Sequence, residues 1–258
     1  MAIAILLASS LRRRPLNRRS DGGNLPGPDV TALQTALIIV CLCLPAVTQT
    51  TVTADGIVAR MAIAYAENRT HLRPYVLTRR YLVLKSGQQK TKVIAAIIYL
   101  PPESNSFEIR DSTGGKAEGV VRKMLDKEMQ LSGDFQASGF NIANYEFQFL
   151  GEERLAGADC YLLAIHPKRT SKDLMDGKIW VDKAEYLVRR VQGSPIKSPS
   201  WWVKNVVFTV DYGSVEGMWL QIGSSGEAQV RFAGQYTLTS EKIAFGLLQT
   251  DRGKPPGK

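Results

Sequence analysis

Apolar and polar side chains alternate most clearly in residues 177–212. A short apolar run at residues 179–181 is followed by a polar turn at residues 182–185, and residues 186–192 then alternate. After a gap rich in Gly, Ser and Pro, residues 201–212 alternate again with β-branched and aromatic side chains. Period-2 patterning of this kind, interrupted by polar loops, predicts three consecutive strands of an antiparallel meander.

The rest of the pattern adds two helices and further strands. Apolar residues recur at spacings of three and four in residues 55–72 and 116–130, which predicts two amphipathic helices. Strands are predicted at residues 75–85, 92–100, 107–111, 145–150, 159–165, 218–223, 227–232 and 235–245, and a third, short helix has room in residues 131–145 or 168–176. The predicted fold is therefore mainly β (α+β): an incomplete antiparallel β-barrel of about eleven strands covered by two or three helices, rather than a doubly wound sheet.

Residues 1–54 differ in composition from the rest of the chain. They contain five arginines and two aspartates but no lysine, glutamate or aromatic residue, and residues 36–44 form an apolar stretch that ends at Pro45. A basic region, a short apolar core and a small-residue cleavage site are typical of a secretory signal peptide. The cleavage site is predicted at Val52-Thr53-Ala54, with Ala46-Val47-Thr48 as the alternative.

Other interpretations of this segment fit less well. A membrane-spanning helix needs about 20 apolar residues, more than this core provides. Neither Cys41 nor Cys43 follows a small residue, so lipid attachment is not expected, and an upstream start codon would explain the residues before the apolar core. We therefore expect export through a cleaved signal peptide, one domain at residues 55–248 and a disordered tail at residues 249–258.

The charge of the remaining chain excludes one class of partner. Without the five arginines and two aspartates of residues 1–54, 28 Lys+Arg and 22 Asp+Glu residues remain, so the predicted mature chain is moderately basic. This excess of positive charge is compatible with anionic membrane surfaces. A nucleic-acid partner is not indicated, because the sequence contains no dense basic stripe interleaved with aromatic residues. Only Cys160 follows residue 54, so the sequence predicts no internal disulfide and a fold that depends on its apolar core.

Catalytic and metal-binding patterns are not found in the sequence. His71 and His166 lie far apart without a metal-ligand spacing, and neither a nucleophile elbow nor a glycine-rich phosphate loop occurs. Asp173, Asp176 and Asp182 surround one strand and could bind a cation, but aspartates at such places more often form turns through local backbone hydrogen bonds. We therefore predict no catalytic residue, no metal site and no cofactor.

In several strands, large apolar side chains occur at both odd and even positions and therefore on both faces. A sheet with one buried face requires them on only one side. The methionines of the two predicted helices have flexible thioethers that adapt to irregular apolar partners. A curved sheet covered by such helices is a plausible site for acyl chains, and the alternative is a core that these side chains fill by themselves. The predicted ligand-binding residues are Ile57, Met61, Met124, Phe147, Phe149, Trp180, Phe208, Trp219 and Phe232.

Two short motifs resemble the LolA/LolB-type periplasmic lipoprotein carriers, the outer-membrane lipoprotein-sorting proteins. They are Gly177-Lys178-Ile179-Trp180-Val181-Asp182, continuing to residues 186–191, and Phe208-Thr209-Val210-Asp211-Tyr212, followed by Gly217-Met218-Trp219-Leu220. The resemblance extends over residues 55–245 and implies a half-barrel whose helices act as a lid over a lipid-binding cavity. In those carriers a basic residue before a proline at the end of an early strand reaches from barrel to lid. Here Leu100 precedes Pro101, so the resemblance implies no such contact at this position.

We therefore expect an exported, non-enzymatic carrier that binds lipid or lipoprotein acyl chains in a hydrophobic cavity. The expected partners are this cargo and, transiently, membrane-bound loading and receiving proteins, with no nucleic acid and a monomeric chain. The alternative is an envelope sensor or protein-interaction domain on the same half-barrel fold, as in the similar sigma-factor regulators of the periplasm. An enzyme has the least support.

Overall fold

A computed structural model describes residues 52–100, 104–132, 139–171, 173–197 and 203–249. The predicted signal peptide before residue 52 and the predicted tail after residue 249 lie outside the described residues, as do parts of both segments with room for a third helix. The described residues form two helices and one ten-stranded antiparallel sheet. Within these ranges, neither helix combines the length and apolarity that a membrane crossing requires.

The helices and strands follow one another as the sequence pattern predicts. The helices are α1 (Ala54–His71) and α2 (Lys116–Ser132). The strands are β1 (Tyr75–Lys85), β2 (Gln88–Leu100), β3 (Ser104–Ser112), β4 (Tyr145–Leu155), β5 (Ala158–Pro167), β6 (Met175–Asp182), β7 (Val188–Pro195), β8 (Val203–Val215), β9 (Met218–Val230) and β10 (Gly234–Leu247).

The sheet is open. Its spatial order is β3-β2-β1-β10-β9-β8-β7-β6-β5-β4, so β3 and β4 are the two edges and the first strand pairs with the last. The edge strands β3 and β4 are consecutive strands in the chain, and the segment that contains α2 connects them. This is an open, mainly β half-barrel whose strands all pair antiparallel, with two helices, and the predicted fold class is confirmed.

The sequence predicts one strand too many because of a Gly-Ser-Ser-Gly run at residues 223–226. Such a run is typical of a turn, but β9 continues through it because β8 and β10 pair with it on both sides. Ser224 lies opposite Ser240 with the two hydroxyl oxygens 2.7 Å apart. The two predicted strands at residues 218–223 and 227–232 are therefore one.

Both helices cover the same face of the sheet, which we call the inner face. α1 covers one group of buried residues, the α1 cluster: Ile57, Val58, Met61, Tyr145, Leu163, Ile165, Leu174, Met175, Ile179, Val181 and Val191. α2 covers a second group, the α2 cluster: Leu77, Tyr81, Val83, Val93, Ala95, Ile97, Val121 and Leu125. The apolar core of the described residues thus has two large parts, each with its own helix, and a third, small cluster formed by Val215, Met218 and Leu220.

A polar residue fixes the second half of α1 to the sheet. Asn68 interrupts the predicted apolar face of the helix, and its side-chain oxygen accepts from the backbone N–H of Trp219 at 2.9 Å. Its amide nitrogen donates to the Trp219 carbonyl at 3.3 Å. The register of β9 with β10 ends at Gly223, so Asn68 hydrogen-bonds a stretch of β9 that β10 no longer pairs with.

Candidate functional site

The inner face beneath α1 brings together five of the residues predicted to bind a ligand. Ile57 and Met61 of the helix are buried in the α1 cluster, at 2% and 6% exposure. Phe147, Phe149 and Phe208 are partly buried and pack against the same cluster from β4 and β8. The strand register explains this grouping, because Gly193 of β7 pairs with Phe208 and brings its ring to the face that carries Val191.

The inner face beneath α2 contains a sixth predicted residue. Met124 packs against the α2 cluster together with Met129, while Val121 and Leu125 of the same helix are fully buried. These positions follow the helical spacing that the sequence shows, so one stripe of α2 contacts β1 and β2. The two methionines lie on the border of the cluster rather than at its centre.

Three predicted residues lie elsewhere. Trp180 alternates with Ile179 and Val181 of the α1 cluster and therefore points to the opposite, outer face, where its indole N–H donates to Glu153 at 3.1 Å. Phe232 lies in the turn between β9 and β10 and is fully exposed. Trp219 is half-buried and lines a small cavity together with Ala64 and Asn68 of α1, and its indole N–H donates to the Val188 carbonyl at 2.8 Å.

A buried ion pair connects the sheet to α2. Arg79 is 3% exposed and lies in the inward phase of β1, between Leu77 and Tyr81. Its guanidinium donates to the Glu128 carboxylate of α2 at 2.7 Å and to the Gln221 carbonyl of β9 at 3.4 Å. Burial opposes the charge, but Glu128 and Tyr81 raise the pKa of the guanidinium above its ordinary value. Arg79 is therefore a permanent cation at the inner face.

Three tyrosine hydroxyls surround this pair. Burial is the main cause that raises the pKa of Tyr75, Tyr81 and Tyr212 to about 12 each, and the charges of Arg79 and Glu128 act on all three. Tyr212 packs against the α1 cluster, whereas Tyr75 and Tyr81 belong to the α2 side. The hydroxyls stay neutral in the physiological range, so the junction between the clusters is a polar region with one ion pair.

This ion pair is not predicted from the sequence, because the resemblance places the basic residue before a proline at the end of an early strand. Leu100 occupies that place and is 41% exposed at the end of β2. The overlooked signal was the phase of β1, in which Arg79 takes an inward position among Leu77, Tyr81 and Val83. An arginine in the apolar phase of a half-buried strand indicates a buried partner of opposite charge.

Two cavities of the described residues are small, and each is lined by polar as well as apolar side chains. One has a volume of about 280 Å³ and is lined by Ala64, Glu67, Asn68, His71, Glu185, Leu187, Ser214, Gly217 and Trp219. Another, of about 250 Å³, is lined by His166, Pro167, Lys168, Arg169, Thr170, Asp176 and Ile196. Pockets for small ligands usually exceed about 300 Å³ and are mainly apolar. We expected an apolar gap beneath the helices, but among the residues that the structure describes the helices' own side chains fill the two clusters.

The histidines and aspartates have separate local roles. His71 and His166 line different cavities, and the His166 ring lies 2.7 Å from Asp176 at an exposed position. Asp182 accepts from the backbone N–H groups of Ala184 and Glu185 at 2.8 and 2.9 Å and pairs with Arg189, so it forms the predicted turn. Throughout the described ranges, no three His, Cys, Asp or Glu side chains form a group that could hold a metal ion.

No protein-family model matches the sequence, and no curated protein matches it. Solved structures do match. A putative outer membrane lipoprotein-sorting protein domain from Vibrio parahaemolyticus is 12% identical with a TM-score of 0.42, over 75% of this chain and 93% of that one. A DUF1329 family protein from Desulfovibrio piger is 13% identical with a TM-score of 0.40, over 76% and 93%. A LolA superfamily protein from Nitrosomonas europaea is 11% identical with a TM-score of 0.36, over 78% and 96%.

Two of these structures, the lipoprotein-sorting domain and the LolA superfamily protein, are of the kind that the two sequence motifs resemble.

Proposed function

We propose that the protein is an exported periplasmic carrier that binds the acyl chains of lipid or lipoprotein cargo, of the outer-membrane lipoprotein-sorting type. The observation that supports this most is an apolar sheet face whose cover is made by two separate helices rather than by a second sheet. The residues proposed to contact the cargo are Ile57, Met61, Met124, Phe147, Phe149, Phe208 and Trp219. Trp180 and Phe232 are left out because they lie on the outer face and on an exposed turn.

In this proposal the structure is the closed, unloaded state, and cargo replaces the side chains of a helix. α2 contributes four apolar side chains to its cluster, Val121, Met124, Leu125 and Met129. At about 1.5–3 kcal/mol for each fully buried side chain they amount to ~6–12 kcal/mol as an upper bound, because the two methionines are only partly buried. The ~14 methylenes of a 16-carbon chain contribute ~11 kcal/mol at ~0.8 kcal/mol each. Because the two amounts are similar, an acyl chain can replace the helix and can also be released.

The proposal includes transient contact with membrane-bound proteins that load and unload the cargo. An acyl chain of this length does not cross water readily. When the acyl chain leaves, the helices close and cover the inner face again. Exchange of cargo would therefore take place at a membrane or at a partner protein. The protein acts as a binding protein without chemistry of its own.

Fatty acid uptake by two phenylalanine variants tests the proposed site. Phe208→Ala removes a half-buried ring of the inner face and is expected to weaken the binding of a fluorescent 16-carbon fatty acid about tenfold, the equivalent of ~1.4 kcal/mol. Phe232→Ala makes the same chemical change on an exposed turn and is expected to leave the affinity unchanged. Circular dichroism of both variants checks that the fold is kept.

Native purification followed by mass spectrometry of extracted lipids is the companion measurement, and acyl lipid is expected to accompany the protein. Absence of any co-purified lipid together with absence of fatty acid uptake would contradict the proposal. Recovery of a stoichiometric membrane protein without lipid would favour the envelope sensor instead. Equal loss of affinity in the two phenylalanine variants would place the binding site somewhere other than the inner face.

A further inference from the structure

The two side chains of the Arg79–Glu128 ion pair differ in their exposure to solvent. The Arg79 side chain is 4% exposed and belongs to the sheet, whereas the Glu128 side chain is 27% exposed and belongs to α2. If α2 moves, the carboxylate moves with it into water, where it is readily solvated. The guanidinium stays on the sheet, next to the apolar residues Leu77 and Val83.

The site around Arg79 has donors for a further oxygen. The Nε atom of Arg79 and the hydroxyl of Tyr81 are both buried, and neither makes a hydrogen bond of ordinary geometry among the described atoms, although the two side chains interact with each other. The guanidinium presents its donors as a planar fork, which fits carboxylate and phosphate oxygens in pairs. Glu128 uses one terminal nitrogen of that fork, at 2.7 Å.

Among the residues that the structure describes, Glu128 is the only carboxylate that acts on Arg79, and the neighbouring charges offer no replacement for it. Arg80, the next residue along β1, points to the other face and pairs with Glu241 of β10 at an exposed position. Gln221 provides a backbone carbonyl at 3.4 Å, which is a long and uncharged contact. Opening of α2 therefore leaves a buried cation without an anion, and this is costly unless the incoming molecule brings one.

Resting on the proposed carrier function, we propose that Arg79 binds the anionic headgroup of the cargo. A carboxylate or phosphate group takes the place of the Glu128 carboxylate, while the attached acyl chain takes the place of the α2 side chains in the α2 cluster. Glu128 then acts as an internal substitute for the headgroup in the closed state. The ligand class is an amphiphile with one acyl chain next to a carboxylate or phosphate, and uncharged amphiphiles of equal length bind more weakly.

Affinities for three 16-carbon amphiphiles test this assignment in the full chain. Hexadecanoate, hexadecyl phosphate and 1-hexadecanol share one chain and differ in the headgroup. The wild-type protein is expected to bind at least one of the two anions tenfold or more tightly than the alcohol. The relative affinity of the two anions then identifies the headgroup as carboxylate or phosphate.

Three variants separate the roles of the charged residues. Arg79→Gln is expected to bring the anion-to-alcohol affinity ratio close to one, whereas the matched variant Arg80→Gln keeps the ratio of the wild type. Glu128→Gln is expected to tighten anion and alcohol binding by similar factors, because the charged pair no longer has to separate before either binds. The anion-to-alcohol affinity ratio is then retained in Glu128→Gln but lost in Arg79→Gln. This difference shows that Glu128 competes with the cargo, whereas Arg79 contacts its headgroup.

Several outcomes overturn the assignment. Equal affinity of the wild-type protein for the anions and the alcohol overturns the assignment of Arg79 and leaves the proposed carrier function standing. This result needs no variant, so it decides the question even if Arg79→Gln fails to fold. A folded Arg79→Gln variant that keeps the preference, or an Arg80→Gln variant that loses it, also overturns it. Absence of binding by all three amphiphiles overturns the carrier function together with the inference.

Discussion

Glu128→Ala is expected to lower the free energy of unfolding by about 3–5 kcal/mol, which is large for a residue that is not itself fully buried. The substitution leaves Arg79 charged and 3% exposed without its carboxylate partner. The uncharged groups that remain, the carbonyl of Gln221 at 3.4 Å and the hydroxyl of Tyr81, do not offset the desolvation of a guanidinium. Urea unfolding monitored by tryptophan fluorescence measures the loss.

A neighbouring ion pair provides the control for this prediction. Glu241 pairs with Arg80 where both side chains are about half exposed, so Glu241→Ala is expected to change the stability by no more than about 1 kcal/mol. A double variant with Arg79→Leu and Glu128→Leu removes both buried charges and is expected to recover most of the stability lost in Glu128→Ala. If Glu128→Ala costs no more than Glu241→Ala, α2 is not held to the sheet by this pair.

Gly193→Ala is expected to cost more than about 3 kcal/mol and to leave little folded protein at 37 °C. Gly193 of β7 lies directly opposite Gly177 of β6. A Cβ atom at Gly193 would lie 2.9 Å from the Gly177 Cα and 2.5 Å from the methyl carbon of Met175, and closer still to the Asp176 carbonyl oxygen. The backbone atoms among these neighbours cannot move without separating the two strands beneath the α1 cluster.

The control for Gly193→Ala is a strand glycine with free space. Gly246 of β10 has no heavy atom within 4 Å of the position its Cβ would take, so Gly246→Ala is expected to be neutral or slightly stabilising. Thermal unfolding of the two variants gives the comparison. Similar melting temperatures would show that β6 and β7 can separate at little cost and that the glycine pair is not needed.

The alternation of side chains was sufficient to predict most of the fold. The bounds of β1, residues 75–85, follow directly from its period-2 pattern, and both long helices follow from apolar spacing. Local composition misled at residues 223–226, where pairing with two neighbouring strands determines the structure. Tertiary pairing of this kind cannot be deduced from the composition of a four-residue segment.

The candidate site was predicted less completely than the fold, since it depends on which face each strand residue occupies. Trp180 belongs to the motif that carries the resemblance, yet its neighbours Ile179 and Val181 occupy the inner face and it does not. Phe232 was assigned to a strand, but β9 ends at Val230 and places it on a turn. Arg79 could have been found from its phase in β1, whereas its partner Glu128 required the docking of α2.

The central claim is that α2 moves away from the sheet when an acyl chain binds the inner face, and a distance measurement tests it most directly. Spin labels are placed in the mature protein on two exposed positions, Lys123 of α2 and Gln89 of β2, and the buried Cys160 is left in place. A second pair at Gln89 and Lys242, both on the sheet, serves as the control.

Pulsed electron paramagnetic resonance at saturating hexadecanoate is expected to show a longer distance between Lys123 and Gln89 and an unchanged distance between Gln89 and Lys242. A bound fatty acid with both distances unchanged would contradict the claim, because the α2 cluster has no room for a chain while the helix stays in place.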